Sequence, residues 1–235
     1  MYSLTSKPPI TSSEVYQKIL NRIITLDLEP GRYISENQMA KEYNVSRSVI
    51  RTVFARLSQI GLIEIYPQRG TYISTMDLDF ISDILVLRTA VEKEVLYEMF
   101  KKLGETERLN LVEKLENNLK EQELCRDEKD YCGKFPELDA RFHKIMIDSV
   151  GRYALLQVLE DIMFHISRWR SFDVAFDQRV GELIDEHRAI VEGIKIGNLE
   201  LAQQKMAEHL DTITGIADKA MEKFPNYFLQ KDRNE

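Results

Sequence analysis

A mainly α fold in two parts is predicted by three features of this 235-residue chain. Between Gly31 and Ser74, two short helical patterns run into a pair of alternating strands joined by a tight turn. From residue 76 onward, apolar residues recur at 3- and 4-residue steps and no strand pattern interrupts them. Charge divides at the same place: residues 1–76 hold 9 Lys and Arg against 6 Asp and Glu, and the remainder holds 23 against 33. The expected architecture is an N-terminal winged helix-turn-helix with a small β-hairpin wing over residues 1–75. An antiparallel α-helical bundle over residues 76–235 should follow, each part being long enough to bury its own core.

In the first part, Glu36 to Tyr43 places Met39, Ala40 and Tyr43 on one face of a short helix. Asn44-Val45 makes the turn, and Ser46 is a good N-cap for the next helix. On that helix Val49, Ile50, Val53, Phe54 and Leu57 face inward, which leaves Arg47, Ser48 and Arg51 pointing outward from its first turns. Gly61 ends the helix, Leu62 to Tyr66 alternates as a strand, Pro67 to Gly70 turns, and Thr71 to Ser74 returns. A helix that shows arginines and hydroxyls at its N-terminus suits a DNA major groove. Guanidinium groups read guanine edges or grip phosphates, and the free backbone N–H groups hold a phosphate. The acidic body does not argue against this, because it is repelled from DNA while the basic head is attracted.

The second part reads as helices from end to end. Asp77 caps a long one through Leu103 that buries Ile81, Ile84, Leu85, Val91, Val95, Met99 and Phe100. A helix from Thr106 to about Cys125 turns Leu109, Val112, Leu115 and Leu119 inward, and a polar connector from Asp127 to Lys134 follows. Pro136 suits a first helical turn, and Gly151 closes that helix. Further helices are expected from Tyr153 to Ser171, from Gln178 to Ile196 and from Leu199 to Phe224, with Gly197-Asn198 between the last two. The bundle should therefore have about six helices. The polar tail from Pro225 to Glu235 is expected to be loosely ordered.

Composition excludes some classes. The longest apolar runs are only a few residues, so no membrane span is expected. The opening MYSLTSKPPI lacks the apolar core of a signal peptide. Cys125 and Cys132 alone imply no disulfide framework. A cytoplasmic location is expected.

One further constellation carries chemistry. Asp139 and His143 stand four residues apart and share a helix face, His187 lies in the penultimate helix and His209 in the last. A carboxylate and three imidazoles suit a divalent transition metal, although spacing alone does not show that they converge and favours ordinary surface or satisfied core residues. Glu186 and Glu208, each just before a histidine, fit either reading. His165 completes a series of four histidines 22 residues apart, but the sequences around them do not match and no repeat is read there. His165 is a candidate for lining an effector cavity or for plain packing. Arg88 is a candidate for gripping an acidic effector with its bidentate fork, or for an ion pair with Glu92 one turn on. Arg168-Trp169-Arg170 offers an anion site, or a basic helix end that answers its own dipole. Tyr97 and Tyr131 carry no signal separable from packing.

The runs LEPG, SRSVIR, ARLSQIGLI and PQRGTYIS resemble the DNA-binding domain of the GntR superfamily of bacterial transcription regulators. Two positions depart from the family pattern: Val49 stands where proline is frequent, and Asn37 where a FadR-type member uses arginine on DNA. The second departure concerns the operator sequence rather than the binding mode. The resemblance implies DNA contacts at Arg47, Ser48 and Arg51 in the recognition helix and at Arg69 and Gly70 in the wing. The runs LDARFHKIM, DEHRAIVEGI and IGNLELAQQKMAEHL likewise resemble the metal-containing branch of the FadR-type effector domain, FCD. That resemblance implies a metal at Asp139, His143, His187 and His209, zinc first, with nickel or manganese as alternatives. It further implies a homodimer on an inverted-repeat operator, controlled by a small carboxylate effector and usually a repressor. A metal-dependent hydrolase is the competing class, since an open metal position can activate water. No His-Glu-x-x-His, Gly-x-Ser-x-Gly or Gly-rich phosphate loop supports it, so no enzyme is expected. A third reading keeps the metal as a purely structural clamp.

Overall fold

A computed structural model describes residues 10–131, 133–212 and 216–230, and the chain divides into two compact units, Met1–Thr75 and Met76–Glu235.

The first unit opens with α1 (Ser12–Ile24), which the sequence reading passed over. Its signal was present in the residues. Thr11 and Glu14 form a capping box, each side chain bonding the other's backbone N–H. A two-residue strand β1 (Tyr33–Ile34) leads into α2 (Glu36–Tyr43) and α3 (Arg47–Gln59). Asn44 takes the left-handed conformation at φ 52°, which turns the chain between these helices. Ser46 caps α3 by accepting the Val49 N–H. The wing is β2 (Ile63–Tyr66) and β3 (Gly70–Ile73), and β1 adds a third antiparallel strand in the order β1-β3-β2. Two residues were too few to show as a strand in the sequence. Ile19, Ile23, Leu28, Ile50, Val53, Phe54 and Leu57 form the core, where α1 packs on α3. Val49, expected inward, is only half-buried.

The second unit contains, among the described residues, α4 (Leu78–Lys102), α5 (Glu105–Glu123), α6 (Phe135–Ser149), α7 (Tyr153–Asp177), α8 (Val180–Lys195), α9 (Leu199–Leu210) and α10 (Ala217–Lys223). Asp77 caps α4, accepting the N–H groups of Asp79 and Phe80. Four expectations need correction. Helix α7 runs on to Asp177 because Phe172 and Val174 keep a buried stripe going, and it ends where Gln178 turns left-handed. Arg168 and Arg170 are therefore mid-helix, and the dipole reading of them fails. The expected helix from Leu199 to Phe224 is two, because Asp211 leaves helical angles at ψ 85°. The tail is not loose throughout: Phe228 is buried against Trp169 and Phe172, and its strand-like residue bridges Met76. Leu109 is 49% exposed, since the buried stripe of α5 begins at Leu111 and Val112. Cys125 is buried and carries no disulfide, while Cys132 lies outside the described residues. No described helix is long and apolar enough to cross a membrane.

Candidate metal centre and DNA-binding face

Helices α8 and α9 form an antiparallel hairpin about Gly197, at φ +74°, and Asn198, whose side chain accepts the Leu201 N–H. The pair can approach closely because residue 193 is glycine. A Cβ there would lie 2.8 Å from the backbone nitrogen of Ala202. His187 and His209 stand at equal distances along the chain from Asn198, so the hairpin sets them side by side, with ring centroids 4.4 Å apart. On α6, Asp139 and His143 are one turn apart and face the same place. One ligand atom from each of Asp139, His143, His187 and His209 lies within 4.8 Å of the others, and all four residues are buried.

Each ring is held from behind. The His143 Nδ1 faces Glu92 Oε2, His187 Nδ1 faces Gln122 Oε1 at 2.8 Å, and His209 Nδ1 faces Glu186 Oε2 at 2.8 Å. All three partners are acceptors, which assigns a proton to each Nδ1 and leaves a lone pair on each Nε2. The Gln122 amide is itself oriented: its Nε2 donates to Asn118 Oδ1 at 2.6 Å, and Asn118 Nδ2 donates to the Leu138 carbonyl at 3.1 Å. The Tyr131 hydroxyl donates to Asp139 Oδ2 at 2.7 Å, so Oδ1 is the carboxylate oxygen left for the centre. Burial holds the His187 and His209 imidazoles well below the usual histidine range, which keeps them neutral. Burial also opposes the charge on Glu92, but His143 and Arg88 beside it hold that carboxyl down to about 2.

The donor set therefore fits a cation. Nε2 of His143 and Nε2 of His209 are 3.3 Å apart, and His187 Nε2 is 3.4 Å from Asp139 Oδ1. The latter two atoms are buried without a hydrogen-bond partner. Lone pairs at such separations repel unless a proton or metal ion lies between them, and an orphaned buried acceptor costs about 1–3 kcal/mol. A ligand set of three neutral nitrogens and one carboxylate oxygen suits zinc, nickel or manganese.

The other sequence candidates fall as follows. Arg88 is buried and its Nε bonds Glu92 Oε1 at 2.7 Å, the ion-pair alternative. His165 lies outside the four-residue cluster and packs edge-on against Phe80, with centroids 5.2 Å apart. Glu186 backs His209, whereas Glu208 pairs with Lys205 at the surface. Tyr131, Gln122 and Glu92 were not singled out as ligand partners, because in sequence they look like any buried polar residue. Tyr97 is exposed.

In the first unit, Arg47, Ser48, Arg51 and Arg69 are all exposed, and the wing returns through Gly70. Arg47 and Arg51 share one partner, Glu36 at the start of α2. Ser48 Oγ bonds Ser46 Oγ at 2.8 Å. Gly70, at φ +115°, lies under the Tyr33 ring, where a Cβ would come within 2.4 Å. Helix α3 and the wing border one open concavity that includes Arg47, Arg51, Gln68 and Gly70.

Comparison with known proteins follows the same division. Residues 11–73 match the family described as bacterial regulatory proteins, gntR family, and residues 83–212 match the FCD domain. An uncharacterised HTH-type transcriptional regulator in an unstable DNA locus of Streptomyces ambofaciens is 27% identical, over 92% of this chain and 88% of its own length. The HTH-type transcriptional repressor RspR of Escherichia coli K12 is 24% identical, over 94% of both chains. Among solved structures, E. coli McbR/YncC superposes with a TM-score of 0.60 at 15% identity, covering 89% of this chain and 98% of that one.

Proposed function

The chain belongs to the GntR family of bacterial regulatory proteins, joining a GntR DNA-binding domain to an FCD domain, and from that premise we propose a metal-dependent, effector-released repressor. It is a DNA-binding transcription regulator, and the relatives reported above are regulators rather than enzymes. In the proposed reading, the unit over residues 1–75 binds DNA, and the unit over 76–235 binds the effector and pairs two copies. Arg47, Ser48 and Arg51 enter the major groove of an inverted-repeat operator, and Arg69 and Gly70 of the wing meet its backbone. Asp139, His143, His187 and His209 hold a divalent metal, zinc before nickel or manganese. When bound, such an ion supplies positive charge and an open position for a carboxylate. The protein acts in the cytoplasm, where its DNA is.

The observation that carries this reading is the convergence of four buried donor atoms, each oriented from behind by its own hydrogen bond. An acidic effector is supported by Arg170. It is buried, its Nη1 makes no hydrogen bond and lies 3.7 Å from Asp173 Oδ2, and its charge acts on Asp139 and His209 as well. Arg88 serves in this reading by fixing Glu92 and through it His143. Two-fold pairing is supported by exposed apolar residues on two helices that pack together, Val86 and Leu87 on α4 with Tyr153 and Val158 on α7. Gel-shift titration of the promoter beside the chain's own gene should show binding that falls at least about tenfold in the Arg47→Ala/Arg51→Ala double variant. Equal binding by both proteins would refute the recognition-helix assignment. Release of that DNA by a small carboxylate only in metal-loaded protein would separate a sensing metal from a structural one.

A further inference from the structure

Arg47 and Arg51 do not stand free on α3. Glu36 Oε1 accepts from Arg51 Nε at 3.0 Å, and its Oε2 accepts from Arg51 Nη2 at 3.1 Å and from Arg47 Nη2 at 3.2 Å. The carboxylate thus fills the fork of one arginine and ties down the second. The arginine side chains are 60% and 68% exposed while that of Glu36 is 25% exposed, so the acceptor is the fixed member and the donors are the mobile ones. Glu36 itself is set by its helix: Ser35 caps α2 by accepting the Gln38 N–H, and the carboxylate sits in the first turn of α2. The two arginines hold that carboxyl below its ordinary range, Arg51 contributing most, so it is charged at neutral pH.

Two cations and one anion leave this trio with one positive charge rather than two. A carboxylate also presents to a guanidinium what a phosphate presents, two anionic acceptor oxygens that the planar fork can take together. We propose that Glu36 is an internal phosphate mimic that sets DNA selectivity. It occupies the recognition arginines in the free protein, and it lowers their value to an arbitrary DNA backbone. It also aims their remaining N–H groups, so that a matching pair of base edges gains most. This rests on the reading that Arg47 and Arg51 contact DNA, and the experiment below keeps the two apart.

Fluorescence-anisotropy titrations of the full-length protein would use two duplexes of equal length, one spanning the promoter beside its gene and one of random sequence, at several KCl concentrations. Glu36→Gln is expected to bind the random duplex about 3- to 10-fold more tightly at 50 mM salt. Its log Kd against log salt slope should steepen by about 0.9, the value of one added phosphate contact. The promoter-to-random ratio should fall by a similar factor. Glu36→Asp, which keeps the charge, should retain the wild-type slope. An unchanged random-duplex affinity and slope in Glu36→Gln would overturn the proposal, as would an equal loss on both duplexes by a protein with wild-type circular dichroism. The Arg47→Ala/Arg51→Ala variant separates the two ideas. Wild-type promoter binding by that variant sinks the DNA-contact reading itself. Lost binding there, beside an inert Glu36→Gln, sinks only the role of Glu36.

Discussion

Adding zinc to metal-free protein should raise its melting temperature, and the size of the rise follows from the centre's construction. A ligand that binds only the folded state stabilises by RT ln(1 + [L]/Kd), about 2.7 kcal/mol at one hundred times Kd. For a chain of 150–250 residues, 1 kcal/mol moves the midpoint by about 2–4 °C, so the expected rise is about 5–11 °C. A preformed site is what makes this gain available. His143, His187 and His209 already turn their Nε2 atoms inward, and Asp139 Oδ1 and His187 Nε2 have no other partner. Differential scanning fluorimetry with and without zinc measures it directly. His187→Ala should abolish most of the rise, whereas His165→Ala, outside the cluster, should keep it. A shift that survives in the Asp139→Ala/His187→Ala double variant, or no shift in wild type at saturating zinc, would refute the reasoning.

Gln122→Leu removes the acceptor behind His187 and should weaken zinc binding about 10- to 100-fold in a competition titration with a chromophoric chelator, while the four ligands remain. Gly193→Ala places a Cβ 2.8 Å from the Ala202 nitrogen and should cost about 1–3 kcal/mol by urea unfolding, since backbone cannot step aside as a side-chain tip would. Glu98 is held down to about 2, chiefly by Arg152 with Lys102 assisting, so its stabilising contribution is present above pH 4.5 and disappears as pH falls toward 2. The melting temperatures of wild type and Glu98→Gln should accordingly differ at neutral pH and converge in acid; a gap that widens in acid would contradict this sign.

How much of this was legible in the residues depended on whether the signal was local. Helices α2 and α3 and the wing are marked by caps, turns and periodicity, all readable within a few residues, and Ser46, Asn44 and Gly70 perform the roles their types suggest. The cap of α4 at Asp77 and the hairpin at Gly197-Asn198 were equally local. The candidate metal ligands were visible as residue types, but their convergence was not, because Asp139 and His209 are brought together by tertiary packing rather than by spacing. What backs them was hidden for the same reason. Gln122 is 65 residues from His187, and Glu92 is 51 from His143. Nothing in either neighbourhood distinguishes such a residue from a surface polar one. Helix α1 was a different kind of miss, since its Thr11–Glu14 capping box was present and unread.

The partners behind the ligands also indicate where a change at the centre would be felt. Asp139 and His143 belong to α6, His187 and Glu186 to α8, His209 to α9, Gln122 to α5 and Glu92 to α4, so five helices meet at one point. The α4 link has the least freedom. Glu92 uses one oxygen on His143 and the other on Arg88, which is buried on the same helix, so any rotation of the His143 ring must either break a buried charge-assisted bond or carry α4 with it. Breaking a buried pair costs roughly 3–5 kcal/mol, more than the 1–3 kcal/mol by which effectors typically shift such equilibria, so movement of α4 is the cheaper response. Glu92 lies 15 residues beyond the Asp77 cap, about 22 Å along the helix, and Asp77 is the second residue after Thr75, where the winged unit ends. In the proposed reading, the short link before α4 therefore receives whatever displacement an acid produces at His143. Glu92→Gln, which keeps the shape but weakens the hold on His143, should preserve operator binding while blunting release by the effector. Full release by that variant, measured in the same gel-shift titration, would show that the signal leaves the centre through another helix.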